Sequence, residues 1–164
     1  MELDSKSVYL LLGSNLGDRE ELLNDAVLQI GNKVGEVFAQ SSLYETAAWG
    51  KTDQPSFINM ALGLKTKLSP LEVLNAVLAI EAELGRVRKE KWGARLIDID
   101  VMFYADEIVD MGAELQIPHP QMQYRNFVLV PLAEIAGGLI HPVIGKRVSE
   151  ILAILEDNLT VTKI

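Results

Sequence analysis

The stretch FINMALGLKTKLSPLEVLNAVLAIEAELGRVRKEKWGARLIDIDVMFY, residues 57–104, reads as a strand, a helix and a second strand in succession. Phe57 to Leu68 is an apolar run of strand length bounded by turn chemistry. Ser69-Pro70-Leu71-Glu72 is a helix start, with Ser at the N-cap, Pro at the first helical position and Glu three residues after the cap. The helix is expected to run to about Leu84, with Gly85 just past its end. Leu96 to Tyr104 is then the next strand.

The same alternation holds toward the N-terminus. Val8 to Leu12 reads as a buried strand ending in a turn at Gly13-Ser14-Asn15. Asp18 with Glu21 predicts a capped helix, whose apolar stripe is Leu22, Leu23, Ala26, Val27 and Ile30 and whose stop is Gly31. Val37 to Thr46 is read as one strand, joined to residue 57 by a Gly/Pro-containing loop from Ala47 to Ser56. The order β-α-β-β-α-β is that of a ferredoxin-like α/β sandwich, an α+β arrangement with a mainly antiparallel sheet and helices packed on it. A turn near Asp106, a proline-bounded segment around His119, a helix over Asn126–Ala136 and another over Val148–Leu155 are C-terminal additions. With 164 residues, 49% apolar and 23% charged, and no repeat or linker, residues 1–164 are expected to form a single domain.

A net charge of −8 argues against broad nucleic-acid or membrane partners, which need basic surface. No stretch reads as a signal peptide or a membrane span. The absence of cysteine excludes disulfide and thiolate chemistry and makes a reducing, cytoplasmic home the expectation. Any anionic ligand has to be held by local positive charge. Arg86, Arg88, Lys89, Lys91 and Arg95, with Trp92 and Gly93 among them, supply it directly before two carboxylates.

Asp98 and Asp100 alternate with Ile97, Ile99, Val101 and Phe103, so the carboxylates share one strand face about 7 Å apart while the apolar set reads as core. Two carboxylates in an apolar setting are costly unless something positive joins them. Oxygen-only ligands suit Mg²⁺, which binds through one or two carboxylates plus substrate phosphates. No His/Cys cluster points to zinc. The basic segment then supplies guanidiniums for the same phosphates. The plainer alternatives are a solvated or lysine-paired Asp-x-Asp and a solvated basic loop. Upstream, Phe57 and Asn59 share a strand face, where a ring can stack on a flat heterocycle and an amide can read its edge. Ordinary aromatic packing beside a hydrogen-bonded Asn is the alternative there. Neither a P-loop nor a protein-kinase Gly-rich loop is present.

Together, Gly13-Ser14-Asn15, Asp53-Gln54-Pro55 with Phe57 and Asn59, Gly85-Arg86-Val87-Arg88, Trp92-Gly93-x-Arg95, Asp98-Ile99-Asp100, Pro118-His119 and Arg125-x-Phe127 resemble the 6-hydroxymethyl-7,8-dihydropterin pyrophosphokinase family of folate biosynthesis. These pieces follow the family's order from about residue 9 to 135. The resemblance implies a ferredoxin-like fold and transfer of the terminal diphosphate of ATP to the pterin hydroxymethyl group, releasing AMP. It implies that Asp98 and Asp100 hold two Mg²⁺ ions, and that Arg86, Arg88, Arg95 and His119, with Arg125 nearby, position phosphates. Phe57 and Phe127 would sandwich the pterin, Asn59 would read its edge, and the backbone around Thr46 and Trp49 would line the pocket. Trp92 would close over it, and Glu81 would lie on the nucleotide side. The chain departs from the family at Pro120, where relatives often carry tyrosine, at Ala47-Ala48 in place of a proline-rich start to the loop, and in a slightly short spacing from Arg88 to Trp92. Arg86 to Trp92 is expected to order as a lid over both substrates, and the protein to act as a monomer. The rival readings are another Mg²⁺-dependent nucleotidyl- or glycosyltransferase and a non-enzymatic ferredoxin-like binding domain.

Overall fold

Strand β1, Lys6–Ser14, is the hub of the sheet. It pairs antiparallel with β4, Phe57–Thr66, on one side and with β5, Asp98–Tyr104, on the other. The outer edge of β4 is shared by β2, Glu36–Gln40, and β3, Tyr44–Thr46. The C-terminal β8, Val161–Lys163, extends the sheet beyond β3. Among the described residues the six strands therefore run β5-β1-β4-β3-β8, with β2 also on β4. All of these pairs are antiparallel, and the fourth-first-third-second order of the expected sandwich is present. The computed structural model describes residues 5–14, 18–46, 56–85, 97–157 and 159–164.

Two apolar cores share this sheet. Val8, Leu10 and Leu12 face α1, Arg19–Lys33, and α2, Pro70–Leu84, against Leu23, Ala26, Ile30, Val73, Val77 and Ile80. Leu11, Ala61 and Met102 face the other way, toward Val128, Leu129 and Leu132 of α3, Asn126–Ala136, and Val148 and Ile151 of α4, Val148–Ile154. This is the strand period of two, with both faces dry, and each fully buried Leu, Ile or Val contributes about 1.5–3 kcal/mol. The C-terminal additions thus make a third layer. No helix of the described residues is long and apolar enough to cross a membrane.

The caps that the sequence announces are in place. Ser69 Oγ accepts from Glu72 N (3.2 Å) while Glu72 Oε1 accepts from Ser69 N (2.8 Å), and Asp18 Oδ1 accepts from Glu21 N. Four expectations need correction. Gly31 does not stop α1, which continues to Lys33. The glycine that matters is Gly35, where a Cβ would lie 2.1 Å from Lys65 O, so only glycine lets the turn approach β4. Val37–Thr46 is two strands, because Ser41 leaves the ladder and bonds Ala61 through its N–H to the carbonyl (2.9 Å) and through its Oγ, which accepts Ala61 N (2.8 Å). β4 ends at Thr66, whose hydroxyl donates to Val34 O and accepts from Leu68 N, so Leu68 lies beyond the strand.

The fourth correction concerns β5. Leu10 pairs with Val101 but Tyr9 pairs with Phe103, so Met102 is an extra residue, a β-bulge. The bulge switches the faces: Ile97, Ile99 and Val101 lie in the α1/α2 core as expected, but Phe103 joins Met102 in the α3/α4 core and Tyr104 takes its place in the first. A hairpin, β6 Val109–Asp110 with β7 Gln116–Ile117, then leads through a cis Ile117–Pro118 peptide to His119.

Candidate active site

Four neighbouring strands present one row of side chains beneath the start of α3. Thr46 pairs with Phe57, Tyr44 with Asn59, Asn59 with Gly13, and Gly13 with Asp98. Gly13, which the sequence offers only as part of a turn, is a strand residue between an amide and a carboxylate. A Cβ there would come within 2.4 Å of Asn59 Nδ2, so a side chain would displace the amide. Asn59 Nδ2 donates to Leu12 O (3.4 Å), which leaves Oδ1 as its free side.

A cavity of about 400 Å³ opens over this row. It is lined by Thr46, Phe57, Asn59, Asp98, Asp100, His119, Arg125 and Phe127, together with Leu11, Gly13, Met102, Gln121, Val128 and Leu159. Eight residues singled out from the sequence thus meet at one place, drawn from β3, β4, β5, the loop before α3 and α3 itself. Thr46 and Asn59 are buried, yet Thr46 Oγ1 and Asn59 Oδ1 have no hydrogen-bond partner among the described residues. Buried polar atoms are normally paired, so two orphans aimed at one cavity are the signature of a ligand edge.

The bulge in β5 also builds the site. The carbonyl of Met102 accepts His119 N (3.1 Å), which docks the proline-bounded segment against the strand. His119 Nδ1 accepts Gln121 N (3.2 Å), so the neutral ring carries its proton on Nε2. Burial pushes the His119 pKa down; the nearby Asp100 opposes this and Arg125 adds to it. His119 is therefore a neutral donor over most of the physiological range. The Arg125 guanidinium stacks over Phe127, 5.7 Å from its ring centroid.

Glu81 does not join this cavity. It lines a second one of about 330 Å³ with Leu74, Leu78, Ile99 and Pro120, and its Oε2 accepts Ile99 N at 2.6 Å. Asp100 and His119 line both cavities and form the ridge between them. Asn15, Ala47, Ala48, Trp49, Asp53, Arg86, Arg88, Trp92 and Arg95, and with them the expected lid, lie outside the described residues. Among the described residues no three His, Cys, Asp or Glu side chains form a metal cluster, so Asp98 and Asp100 stand as a two-carboxylate set.

Sequence reading missed several residues that hold the site. Arg19 Nη1 donates to Ser56 O (2.7 Å) and Ser56 Oγ (3.0 Å), and Ser56 Oγ donates to Glu45 Oε2 (2.7 Å), fixing the residue that precedes Phe57. At the other wall, Asn126 N donates to Asp157 Oδ2 (2.9 Å), and Asn126 Nδ2 donates to the carbonyls of Asp157 (3.0 Å) and Leu159 (3.3 Å). These partners are remote in sequence, and no local motif announces them. A further network on the same face is closed on itself: Tyr44 OH donates to Glu134 Oε1 (2.6 Å), and Ser42 N and Oγ donate to the same carboxylate.

A ferredoxin-like sheet carrying a carboxylate pair, an aromatic pair and unpaired acceptors around one cavity defines an α/β protein with a small-molecule site. Residues 9–137 match the 7,8-dihydro-6-hydroxymethylpterin-pyrophosphokinase (HPPK) family, and the chain belongs to that family. It is 46% identical over 151 residues to the 2-amino-4-hydroxy-6-hydroxymethyldihydropteridine pyrophosphokinase of Methylorubrum extorquens, covering 92% of this chain and 94% of that one. It is 46% identical over 142 residues to the protein of the same description from Synechocystis sp., covering 86% of this chain and 72% of the relative. Among solved structures, a Plasmodium falciparum HPPK-DHPS triple mutant superposes with a TM-score of 0.72 at 18% identity. That match covers 91% of this chain but 44% of the longer one, and it shows the shared fold.

Proposed function

We propose that the chain transfers the β,γ-diphosphate of ATP to the hydroxymethyl group of 6-hydroxymethyl-7,8-dihydropterin, releasing AMP, as a step of folate biosynthesis. The observation that carries this reading is the meeting of Asn59 Oδ1 and Thr46 Oγ1, unpaired acceptors, with Asp98 and Asp100 in one cavity. The acceptors suit the N–H edge of a flat heterocycle, and Phe57 and Phe127 suit its faces. The second cavity, joined across Asp100 and His119, suits the nucleotide, with Glu81 on that side.

The donor set fits Mg²⁺: two carboxylates on one strand face, oxygen only, leaving most of the coordination shell for phosphate and water. Asp98 and Asp100 would hold the ions, two in number. When bound, Mg²⁺ would supply the positive charge that neutralises the phosphates. His119 donates from Nε2 to a phosphate oxygen and Arg125 adds a guanidinium, alongside Arg86, Arg88 and Arg95. The pterin hydroxyl oxygen forms its bond to the β-phosphorus as the bond from that phosphorus to the bridging oxygen of AMP breaks. The electron pair leaves with AMP, and the hydroxyl proton passes to Asp100 or a water beside it. Positioning and charge neutralisation supply most of the rate in such a transfer, so no strong base is required. Trp49 and Trp92 would complete the pterin pocket. The chain works as a monomeric single domain over residues 1–164, cytoplasmic, on small molecules rather than nucleic acid or membrane.

Product analysis of Mg-ATP with and without the reduced pterin tests this. AMP and a diphosphorylated pterin appear only when both substrates are present. Release of ADP or inorganic pyrophosphate instead would point to another transferase, and no turnover to a binding domain.

A further inference from the structure

We infer that Asp157 and residues 159–163 form a working wall of the pterin site, and that Asn126 and Asp157 are the positioning residues that latch it there. This rests on the pterin reading of the larger cavity. The family match ends at residue 137, so this segment lies beyond it. Yet Leu159 lines the cavity, and β8 pairs with β3 so that Val161 sits opposite Thr46. The segment therefore supports the pocket from two sides.

The latch is a ring of hydrogen bonds around one residue. Asn126 stands between Arg125 and Phe127, both of which line the cavity, but its own side chain turns to the tail. Its backbone N–H, an orphan of the first helical turn, donates to Asp157 Oδ2. The other carboxylate oxygen, Asp157 Oδ1, accepts Leu159 N (3.0 Å). One carboxylate thus sets both the start of α3 and the turn that presents Leu159. Arg125 is the N-cap residue of α3 and makes no side-chain cap bond, so Asp157 supplies from the tail what the cap residue does not. A negative charge at a helix N-terminus is also favourable. The start angle of α3 fixes where the Phe127 ring and the Arg125 guanidinium stand, and half an ångström matters for a stacked ligand.

The test uses Asp157→Ala, Asn126→Ala and Leu159→Ala in the full chain, with pterin titrated by calorimetry at saturating non-hydrolysable ATP analogue. Pterin affinity is expected to fall about tenfold in Asp157→Ala, the scale of one lost charge-assisted hydrogen bond, and by a similar factor in Asn126→Ala, which loses two neutral ones to the tail. It falls severalfold in Leu159→Ala, nucleotide affinity falls by clearly less than pterin affinity because Arg125 is one of several phosphate-binding cations, and Asp157→Glu recovers much of the loss. Unchanged pterin affinity in both latch variants would overturn the inference. So would a parallel loss of pterin and nucleotide affinity with a large drop in melting temperature, which means a general role in the fold. Phe57→Ala and Asn59→Ala are measured alongside. If they too bind pterin normally, the pocket assignment itself is wrong and the latch falls with it.

Discussion

The strand pair β3–β4 carries two polar clusters on one face, and they are built on opposite rules. Under the last turn of α3, Ser42, Tyr44 and Glu134 satisfy one another. The Tyr44 pKa is pushed up to about 12 by burial, by its hydrogen bond to Glu134 and by the Glu134 charge. Burial alone would raise the Glu134 pKa, but the bonds from Tyr44 and Ser42 outweigh it and hold the carboxyl down. Under the start of α3, Asn59 and Thr46 are as deeply buried, yet each keeps one acceptor unpaired. Tyr44 and Asn59 are direct cross-strand partners, so the change of rule occurs within one pair of residues. A closed network stabilises the fold; an open one is held in readiness for a ligand and weakens the fold until that ligand arrives.

The comparison is broken or sharpened by substitutions on each side. The largest effect is expected at the carboxylates. Asp98→Asn and Asp100→Asn should each lower the rate of AMP formation by roughly 10²–10³-fold, the scale of losing an electrostatic stabiliser. Melting temperatures should stay near that of the parent. Near-normal turnover at limiting Mg²⁺ in both variants would remove the metal assignment. Next, Asn59→Ala should weaken pterin binding by roughly 10- to 100-fold, because the heterocycle edge loses its partner. Stability should change by no more than about 1 kcal/mol, since an orphan acceptor goes together with the long Nδ2 bond to Leu12 O. Unaltered pterin affinity by calorimetry would place the pocket elsewhere.

Tyr44→Phe should do the reverse. It loses a hydrogen bond to a charged group, worth about 1.5–3 kcal/mol, while pterin and ATP affinities hold. Urea unfolding together with calorimetry reads both, and a binding loss without a stability loss would erase the distinction between the clusters.

The smallest effect concerns pH. His141 is buried at 4% exposure, edge-on to Phe103, with Nδ1 accepting the N–H groups of Val143 and Ile144. Burial holds its pKa below the ordinary 6.5. The unfolded chain therefore binds that proton more readily, so stability is full above about pH 6.5 and declines as acid approaches the folded pKa. His119 shifts the same way and adds to the decline. His141→Asn keeps an acceptor without the titration, and urea midpoints at several pH values should fall less steeply toward acid than in the parent. An equal slope would assign the acid sensitivity elsewhere.

What the sequence made legible was local. The Ser69 cap, the Asp18 cap and the extent of α3 are written in a few adjacent residues, and the structure has them where they were expected. Asp98 and Asp100 were legible as a face because alternation is a property of one strand. Phe103 was misplaced because a bulge is set by the neighbouring strand, and nothing in DIDVMFY marks Met102 as the extra residue. Gly31 reads as the stop because it follows the apolar stripe, whereas the reason for Gly35 lies across space, at Lys65 O. The three-residue β8 has too little pattern to stand out, and its partner is more than a hundred positions away. Each candidate residue is legible by itself, but only the fold brings eight of them around one volume, with Gly13 leaving room between Asn59 and Asp98.

The bulge at Met102 gives β5 a property that no substitution can probe. A chain without Met102 would still zip onto β1, because Val101 and Phe103 already lie opposite consecutive residues, Leu10 and Tyr9. Sheet pairing would become more regular. The lost item would be the spare carbonyl that holds His119, along with one buried side chain of the second core. The site therefore depends on an odd count of residues as well as on their chemistry: it is vulnerable to a deletion that the sheet itself would welcome.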